Sequence, residues 1–542
     1  MMKRLPFLFL AALLLLRFPA VQASHFLGGD LTYEALGNNR YKLVLTVFRD
    51  CSGVAVYSNA TFTCRSTGCV TTGPGVITSV APLLSSTVGS PYCPSATGGP
   101  SPCGSGLPVN TELARYETIV TLNPATEWRI SVTDNARPDL ANIMGNTDMY
   151  YEATLNNMGA GQVLENHSPV FATQALQFVG WKLPTTLSHL AFDADGDSLV
   201  YSLDRPMLGC STPATYLPVS AGGIIDLSDT NGGVPCVATL PTTLSTYSPT
   251  YPLSSFSFTG ACPVKTATPS FIFNPAMGSM SFTPYLFIAG TSTAQQAQNK
   301  YAVVVKVDEY RRMPNNTYFH IGSVRRDMIF IVSNCGINQN PSLAPITING
   351  TSQAASAVIP VTAGRLISLN LAGTDPNSGQ ILTLTSNAEQ TLPNSEFTPS
   401  APGMQPTAQL NWLPPATLRP GLYYCTVTTT DNACPIKGVT QQTLTFRVTN
   451  TTLATSTATA KAVTTLAAVP TPFSGQVSFR LAQAGVQDVT IFDRLGRQVA
   501  TLRSAATGEV TWQPAASVAP GLYLARTADG RQVARLLRSD TE

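Results

Sequence analysis

Charge is scarce in this chain. Asp, Glu, Lys and Arg make up 11% of the 542 residues, and 32 basic against 30 acidic side chains leave a formal net charge of +2. No window gathers the Lys/Arg stripe that phosphate neutralisation requires, which excludes nucleic acid as a partner. Histidine is scarcer still. His25, His167, His189 and His320 are the four, none within four residues of another, so zinc motifs of the H-E-x-x-H type are absent. No G-x-S-x-G elbow offers a serine nucleophile, and the eleven cysteines form no C-x-x-C knuckle for a zinc thiolate site. With these signatures missing, we expect no enzymatic activity. After Arg17 no apolar run approaches the roughly 20 residues of a membrane helix, so no transmembrane segment is expected in the mature chain.

What the chain does have is the vocabulary of strands and turns. With 40 Gly, 41 Pro and abundant Thr, Ser and Val, it favours short strands over long helices, and its length calls for several modules. The fold class expected is all-β. Lys3 and Arg4 precede "LPFLFLAALLLL", and "VQA" ends at Ala23, the pattern of a secretory signal peptide over residues 1–23 with cleavage after Ala23. All eleven cysteines lie beyond it, as in exported chains that keep disulfides. Cys93 with Cys103 and Cys425 with Cys434 are each spaced to staple one loop, although connectivity is not readable from spacing. An odd count leaves one thiol unpaired or bonded to another chain.

The strands fall into units. "GGDLTYEALGNNRYKLVLTVFRDC" (28–51) reads as two alternating strands around the turn "GNN", and "WRISVTDN" (128–135) as another. We take 24–174 as one β-rich module, with 70–110 as a long disulfide-pinned loop. After Asp193 come "SLVYSL", "SFIFNPAMGSMSFTP" (270–284), "YAVVVKVDEYRR" (301–312) and "RRDMIFIVSNC" (325–335). A weaker echo follows in "LAGTDPNSGQILTLTS" (371–386), "AQLNWLPP" (408–415), "GLYYCTVTTTDNACP" (421–435) and "QTLTFRVTN" (442–450). Each unit passes from an Asp-rich turn through alternating strands, as antiparallel sandwiches do. The expectation is tandem immunoglobulin/cadherin-like β-sandwiches at 175–336 and 337–450, then a Thr/Ala-rich linker at 451–467 and a small β-sandwich at 468–542.

"FDADGDSLVYSL" (192–203) sets Asp193, Asp195 and Asp197 on alternate residues. An EF-hand loop is excluded, because position 6 is Ser198 where Gly is required and the next residues alternate as a strand. Two readings stand. In a cadherin-like arrangement the three aspartates offer hard oxygens to calcium. Alternatively, this is a D-G turn whose side chains cap local N–H groups and face water. A glycosidase pair is set aside, since carboxylates two apart on one turn do not flank a sugar from opposite sides. The echo "TDPNSG" keeps only Asp375 as an acid, and no metal is expected there. "VDEYRR" also has two readings. It recognises a charged ligand with Tyr310 stacking on sugar, or it is a strand end facing water with Arg325 and Arg326 as cross-strand partners. The four histidines are expected to be hydrogen-bonded or exposed.

"SHFLGGDLTYEALGNNRYKLVLTVFRDC", "NHSPVFATQALQFV", "DADGDSLVYSL", "VDEYRR" and "IGSVRRDMIFIVSNC" occur in that order. Together, over about 24–450, they resemble a family of gliding-motility-associated, adhesin-like bacterial surface proteins exported by type IX secretion. The chain departs from that pattern at 133–138, with "TDNARP" where a Cys-Cys-Arg-Asn run is common. At the other end, "VPTPFSGQVSFRLAQAGVQDVTIFDRLGRQVATL", "VTWQP" and "PGLYLARTADGRQVARLLR" resemble the type IX sorting domain, with Thr471 where Asn is usual. The resemblance implies export through the periplasm and across the outer membrane, with residues 468–542 engaging the secretion machinery. It also implies a structural or adhesive role on the outer cell surface, linked to gliding or attachment, with a surface glycan or an abiotic surface as ligand. An exported carbohydrate-binding or carbohydrate-processing protein is the alternative.

Overall fold

The computed structural model describes residues 26–539 except 51–54, 89–110, 135–136, 146, 160, 174, 176–177, 220–222, 229–232, 242–245, 291, 434–435 and 451–462. The signal segment with Ala23, most of the linker, His25, Cys51, Cys93, Cys103 and Cys434 lie outside the described residues. The protein is 56% strand and 2% helix, an all-β fold built from paired sheets. It divides into two compact units, residues 1–450 and 451–542.

The first unit begins with a ring of strands. We number them β1 (Phe26–Ala35), β2 (Arg40–Asp50), β3 (Asn59–Arg65), β4 (Val76–Val88), β5 (Thr111–Thr121), β6 (Trp128–Asp134), β7 (Met149–Leu155), β8 (Ser198–Asp204), β9 (Lys300–Arg312) and β10 (Tyr318–Ser333). Period-2 alternation buries one side of each strand. Leu43, Leu45 and Val47 of β2 meet Phe62 of β3, Ile130 of β6 and Val324 of β10 in one continuous core. The pairing order β1-β2-β5-β4-β3-β6-β7-β10 returns to β1. Two strands turn the corners. β4 pairs with β3 through Val76–Pro82 and then with β5 through Leu83–Val88, with an irregularity between Leu83 and Ser85. β10 pairs with β7 through Gly322–Val324 and with β1 through Arg326–Met328. Its other edge carries β9, and β9 carries β8.

Closure demands a very close approach at Gly28. Its φ is +130°, and a Cβ there would lie 2.1 Å from the Asp327 carbonyl oxygen. Only glycine fits. Two buried ion pairs flank the contact: Arg326 Nε lies 2.8 Å from Asp30 Oδ2, and Arg137 donates to both Asp327 oxygens at 3.2 and 2.7 Å.

The boundary expected at 174/175 is thereby corrected. β8, β9 and β10 belong to the same sheet as β1–β7. Alternation along a strand reveals which face is buried but carries no information about which strand lies beside it. The loop expected over 70–110 is also corrected in part, since Val76–Val88 is a strand. Between β8 and β9 the chain inserts a small sheet, Ile224–Asp226, Val237–Thr239, Val264–Pro269 and Phe256–Thr259, pinned by the disulfide Cys236–Cys262. Cys69 is joined to Cys210. Cys64, Cys335 and Cys425 are free thiols, and Cys425 is packed in a sandwich core; the expected partner Cys434 lies outside the described residues.

That core belongs to a sandwich completing the first unit. One of its sheets includes Ile367–Thr374 beside Thr407–Trp412, and the other runs Val358–Thr362, Val439–Thr449, Gly421–Thr430, Thr383–Ser386. It is fastened to the ring's flank by buried polar contacts: Ser188 N–H donates to Gln441 Oε1 at 2.9 Å, and the Ser188 and Thr426 hydroxyls are 2.8 Å apart.

The second unit repeats this plan in short form. Thr464–Leu466 pairs in parallel with Gln532–Arg538, as Val358–Thr362 does with Val439–Thr449. Val477–Arg480 pairs with Glu509–Trp512, as Ile367–Thr374 does with Thr407–Trp412. "WLPPATLRPGLY" (412–423) and "WQPAASVAPGLY" (512–523) occupy equivalent places. In both, the tyrosine hydroxyl donates four residues back, Tyr423 to the Arg419 carbonyl at 2.9 Å and Tyr523 to the Ala519 carbonyl at 2.5 Å. In both, the ring packs on the buried tryptophan, at 6.0 and 5.1 Å between centroids. This is a tyrosine corner, a feature of immunoglobulin-like sandwiches.

The ring makes a fragment prediction. Residues 26–174 produced alone leave β1 and β7 without β10, and their amide spectrum should be collapsed, whereas 26–336 should give a dispersed one. A dispersed spectrum from 26–174 would contradict the single ring.

Candidate functional site

β8 starts immediately after Asp197, and its register sets Ser198 opposite Tyr310 and Leu199 opposite Glu309. The loop 193–197 is therefore laid over the end of β9, where Glu309 and Arg311 emerge. Gly196, at φ +74°, makes the reversal in a conformation that side chains resist.

Arg311 is the hub. Its Nε lies 3.2 and 3.0 Å from the two Asp197 oxygens, and its Nη2 lies 2.7 Å from Asp197 Oδ2 and 2.9 Å from Asp195 Oδ2. It also donates to Asn166 Oδ1 at 2.7 Å and to the Glu165 carbonyl at 2.6 Å. Asp195 accepts the His167 backbone N–H at 2.9 Å and lies 3.0 Å from His167 Nδ1. Beneath this layer Asp193 Oδ1 accepts the Asp197 N–H at 2.7 Å. Glu309 Oε2 accepts from Asn166 Nδ2 at 2.8 Å, and the same amide reaches the Tyr33 hydroxyl at 3.2 Å.

The remaining oxygens are unusual. Asp193 is 8% exposed and Glu309 0%, yet Asp193 Oδ2 and Glu309 Oε1 have no hydrogen-bond partner. Oxygens of Asp193, Asp197 and Glu309 lie within 4.8 Å of one another, the one such group of three potential ligands among the described residues. Burial, reinforced by the Asp193 charge, pushes the Glu309 carboxyl up to about 10. Burial likewise raises Asp193. It works against the Arg311 charge too, but Asp197 and Asp195 outweigh it and hold the guanidinium above its usual range.

The three aspartates expected to share a cation are thus divided. Asp193 and Asp197 come together with Glu309, while Asp195 is taken by His167 and Arg311. The capping role of the alternative reading accounts for Asp193 Oδ1 and leaves Oδ2 unexplained. Asp204 ends β8 and pairs with Arg325 at 2.6 Å.

"VDEYRR" is corrected in two respects. Glu309 faces inward, and Arg325 and Arg326 pair with Asp204 and Asp30, not with this run. Asp308 does face outward, where it meets Lys306 and His320, each at 2.8 Å. Tyr310 packs edge-on against His320 at 5.2 Å between centroids. The inward place of Glu309 had a signal in the sequence: Val303, Val305 and Val307 share its phase on the buried face. His189 is a further correction. It is buried with neither ring nitrogen hydrogen-bonded, and burial pushes its pKa down to about 3, so it is neutral. In the echo, Asp375 Oδ1 caps the Asn377 N–H at 2.6 Å.

No protein-family model and no curated protein matches the chain. Solved structures do match at low similarity. The N-terminal four Ig domains of Dscam1 isoform 6.44 are 11% identical over 70% of this chain and 79% of that one, with a TM-score of 0.14. Drosophila N-cadherin EC1-4 is 11% identical over 77% and 85%, with 0.16. The ICAM-5 D1-D4 ectodomain fragment is 11% identical over 92% and 95%, with 0.14. At such scores the chains do not superpose, and the description of this fold rests on its own strand pairings.

The acidic cluster predicts a pH dependence. Glu309 ionises near pH 4.5 when unfolded and near 10 when folded, so the folded state holds an extra proton between those values. In chelator, stability from this group is complete below about pH 4.5 and is lost as pH rises toward 10. Denaturant midpoints at pH 5, 7 and 9 should fall accordingly, and Glu309→Gln should flatten the slope. Equal slopes in both proteins would contradict the assignment.

Proposed function

We propose that the protein is an exported, cell-surface structural or adhesive protein, delivered by type IX secretion and connected with gliding or surface attachment. The observation that carries this reading is the C-terminal unit. Its core of Phe473, Val477, Phe479, Val489, Ile491, Val510, Trp512 and Leu536 is drawn wholly from its own residues, so it is suited to be grasped without disturbing the cargo. The hairpins Asp488–Asp493 to Gln498–Arg503 and Gly521–Thr527 to Gln532–Arg538 fall on the segments that resemble the sorting domain. The disulfides Cys69–Cys210 and Cys236–Cys262 suit an oxidising compartment. No helix among the described residues is long and apolar enough to cross a membrane. Sandwich-and-ring bodies offer rigid faces for many weak, repeated contacts, the regime in which multivalent adhesion operates.

Two outcomes test the reading. Deleting 463–542 should strand the protein in the periplasm of its native host, and unchanged surface display of the truncated chain would overturn the export route. The purified protein should turn over no polysaccharide while retaining weak binding to glycans or solid surfaces. Hydrolysis that survives repurification and disappears in Asp195→Asn would favour the carbohydrate-processing alternative.

A further inference from the structure

We propose that Asp193, Asp197 and Glu309 form a buried site for one divalent, oxygen-seeking cation, with Ca²⁺ as the species. The site joins the loop before β8 to the inner face of β9, and its donor set differs from the run of three aspartates in the sequence. Asp195 stands outside it, engaged by His167 and Arg311.

Two independent features point to a ligand. The first is the spacing of the donors: carboxylate oxygens within 4.8 Å of one another fit around Ca²⁺, whose Ca–O distances of about 2.3 to 2.6 Å set opposite ligands roughly 5 Å apart. Mg²⁺ is disfavoured on other grounds, since it demands near-octahedral geometry and gives up its waters reluctantly, which a buried three-carboxylate set does not suit. The second is the pair of orphaned oxygens. Asp193 Oδ2 and Glu309 Oε1 are both in residues more than nine-tenths buried, and no amide, guanidinium or hydroxyl donor reaches them, which leaves a proton shared between the two carboxyls or a cation to satisfy them. Nearby donors are already committed: the Asp197 N–H to Asp193 Oδ1, the Asn166 amide to Glu309 Oε2, and the Arg311 guanidinium to Asp195 and Asp197.

Charge leads to the same place. Asp193, Asp195, Asp197 and Glu309 bring four carboxyl groups against the single guanidinium of Arg311, with His167 at the rim and Tyr33 below. Either a proton shared between Glu309 and Asp193 or a cation relieves the excess, and of the two only the cation also takes Asp197 as a partner. The inference stands on this geometry alone and is independent of the export route.

Calorimetry and thermal melting of the purified, chelator-stripped protein with CaCl₂ at neutral pH test it. Wild type should bind Ca²⁺ at one such site and melt several degrees higher in its presence, with a smaller shift from Mg²⁺. Glu309→Gln should weaken Ca²⁺ by about tenfold or more, because ligand charge sets affinity. Its melting temperature in chelator should equal or exceed that of wild type, showing that it folds. Asp195→Asn should bind within about threefold of wild type, because Asp195 stands outside the donor set, its oxygens taken by His167 and Arg311. Identical melting in Ca²⁺ and chelator, with no binding heat, would assign the cluster to a shared proton and overturn the proposal. Binding that survives Glu309→Gln but is lost in Asp195→Asn would move the cation to the outer turn and overturn it equally.

Discussion

Everything in the first unit depends on the return of β10 to the strand where the described chain begins. Residues 326–328 pair with 28–30 across almost 300 positions of sequence, and the approach is so close that only glycine is accommodated at 28. Arg326 and Asp327, adjacent in sequence and opposite in charge, are both buried, one neutralised by Asp30 and the other by Arg137. Removing one partner from such a pair costs about 3 to 5 kcal/mol, because the other charge is left stranded. The Arg326 guanidinium also lies 4.0 Å from the centroid of the Phe171 ring and donates to the Thr173 carbonyl at 2.9 Å. The segment leading to the Asp-rich loop is thereby tied to the same closure.

The acidic site is a consequence of that ring. β9 lies along β10, with Glu309 opposite Gly322, and β8 lies along β9. The ladder carries the loop 193–197 onto Glu309 and Arg311, more than a hundred residues further along the chain. A carboxyl at the buried phase of a core strand is costly unless something shares its charge, and Asp193 and Asp197 add to the cost.

How much of this was legible follows from the range of each interaction. The strands at 28–51, 128–135, 301–312 and 325–335 announce themselves by alternation, and the hairpins of the C-terminal unit by "DRLG" and "ADG". Their partners do not, since a period of two names the buried face and is silent about the neighbour. For that reason 24–174 and 175–336 read as separate modules although β1 and β10 join them. The Asp-rich turn is legible in the sequence, but neither reading of "VDEYRR" turns Glu309 into the core, although it follows Val303, Val305 and Val307 in phase. The paired "W-x-P" and "P-G-L-Y" segments at 412–423 and 512–523 were legible as well. Set side by side, they mark the sandwich at 337–450 and the C-terminal unit as two versions of one plan.

The central claim is that β1 through β10 form one cooperative body closed by β10 on β1. Native-state hydrogen exchange followed residue by residue addresses it most directly. The account predicts that amides of β1, β7 and β10 share one opening free energy and respond together to low denaturant. Two exchange classes divided near residue 175, with β1–β7 protected independently of β8–β10, would contradict it.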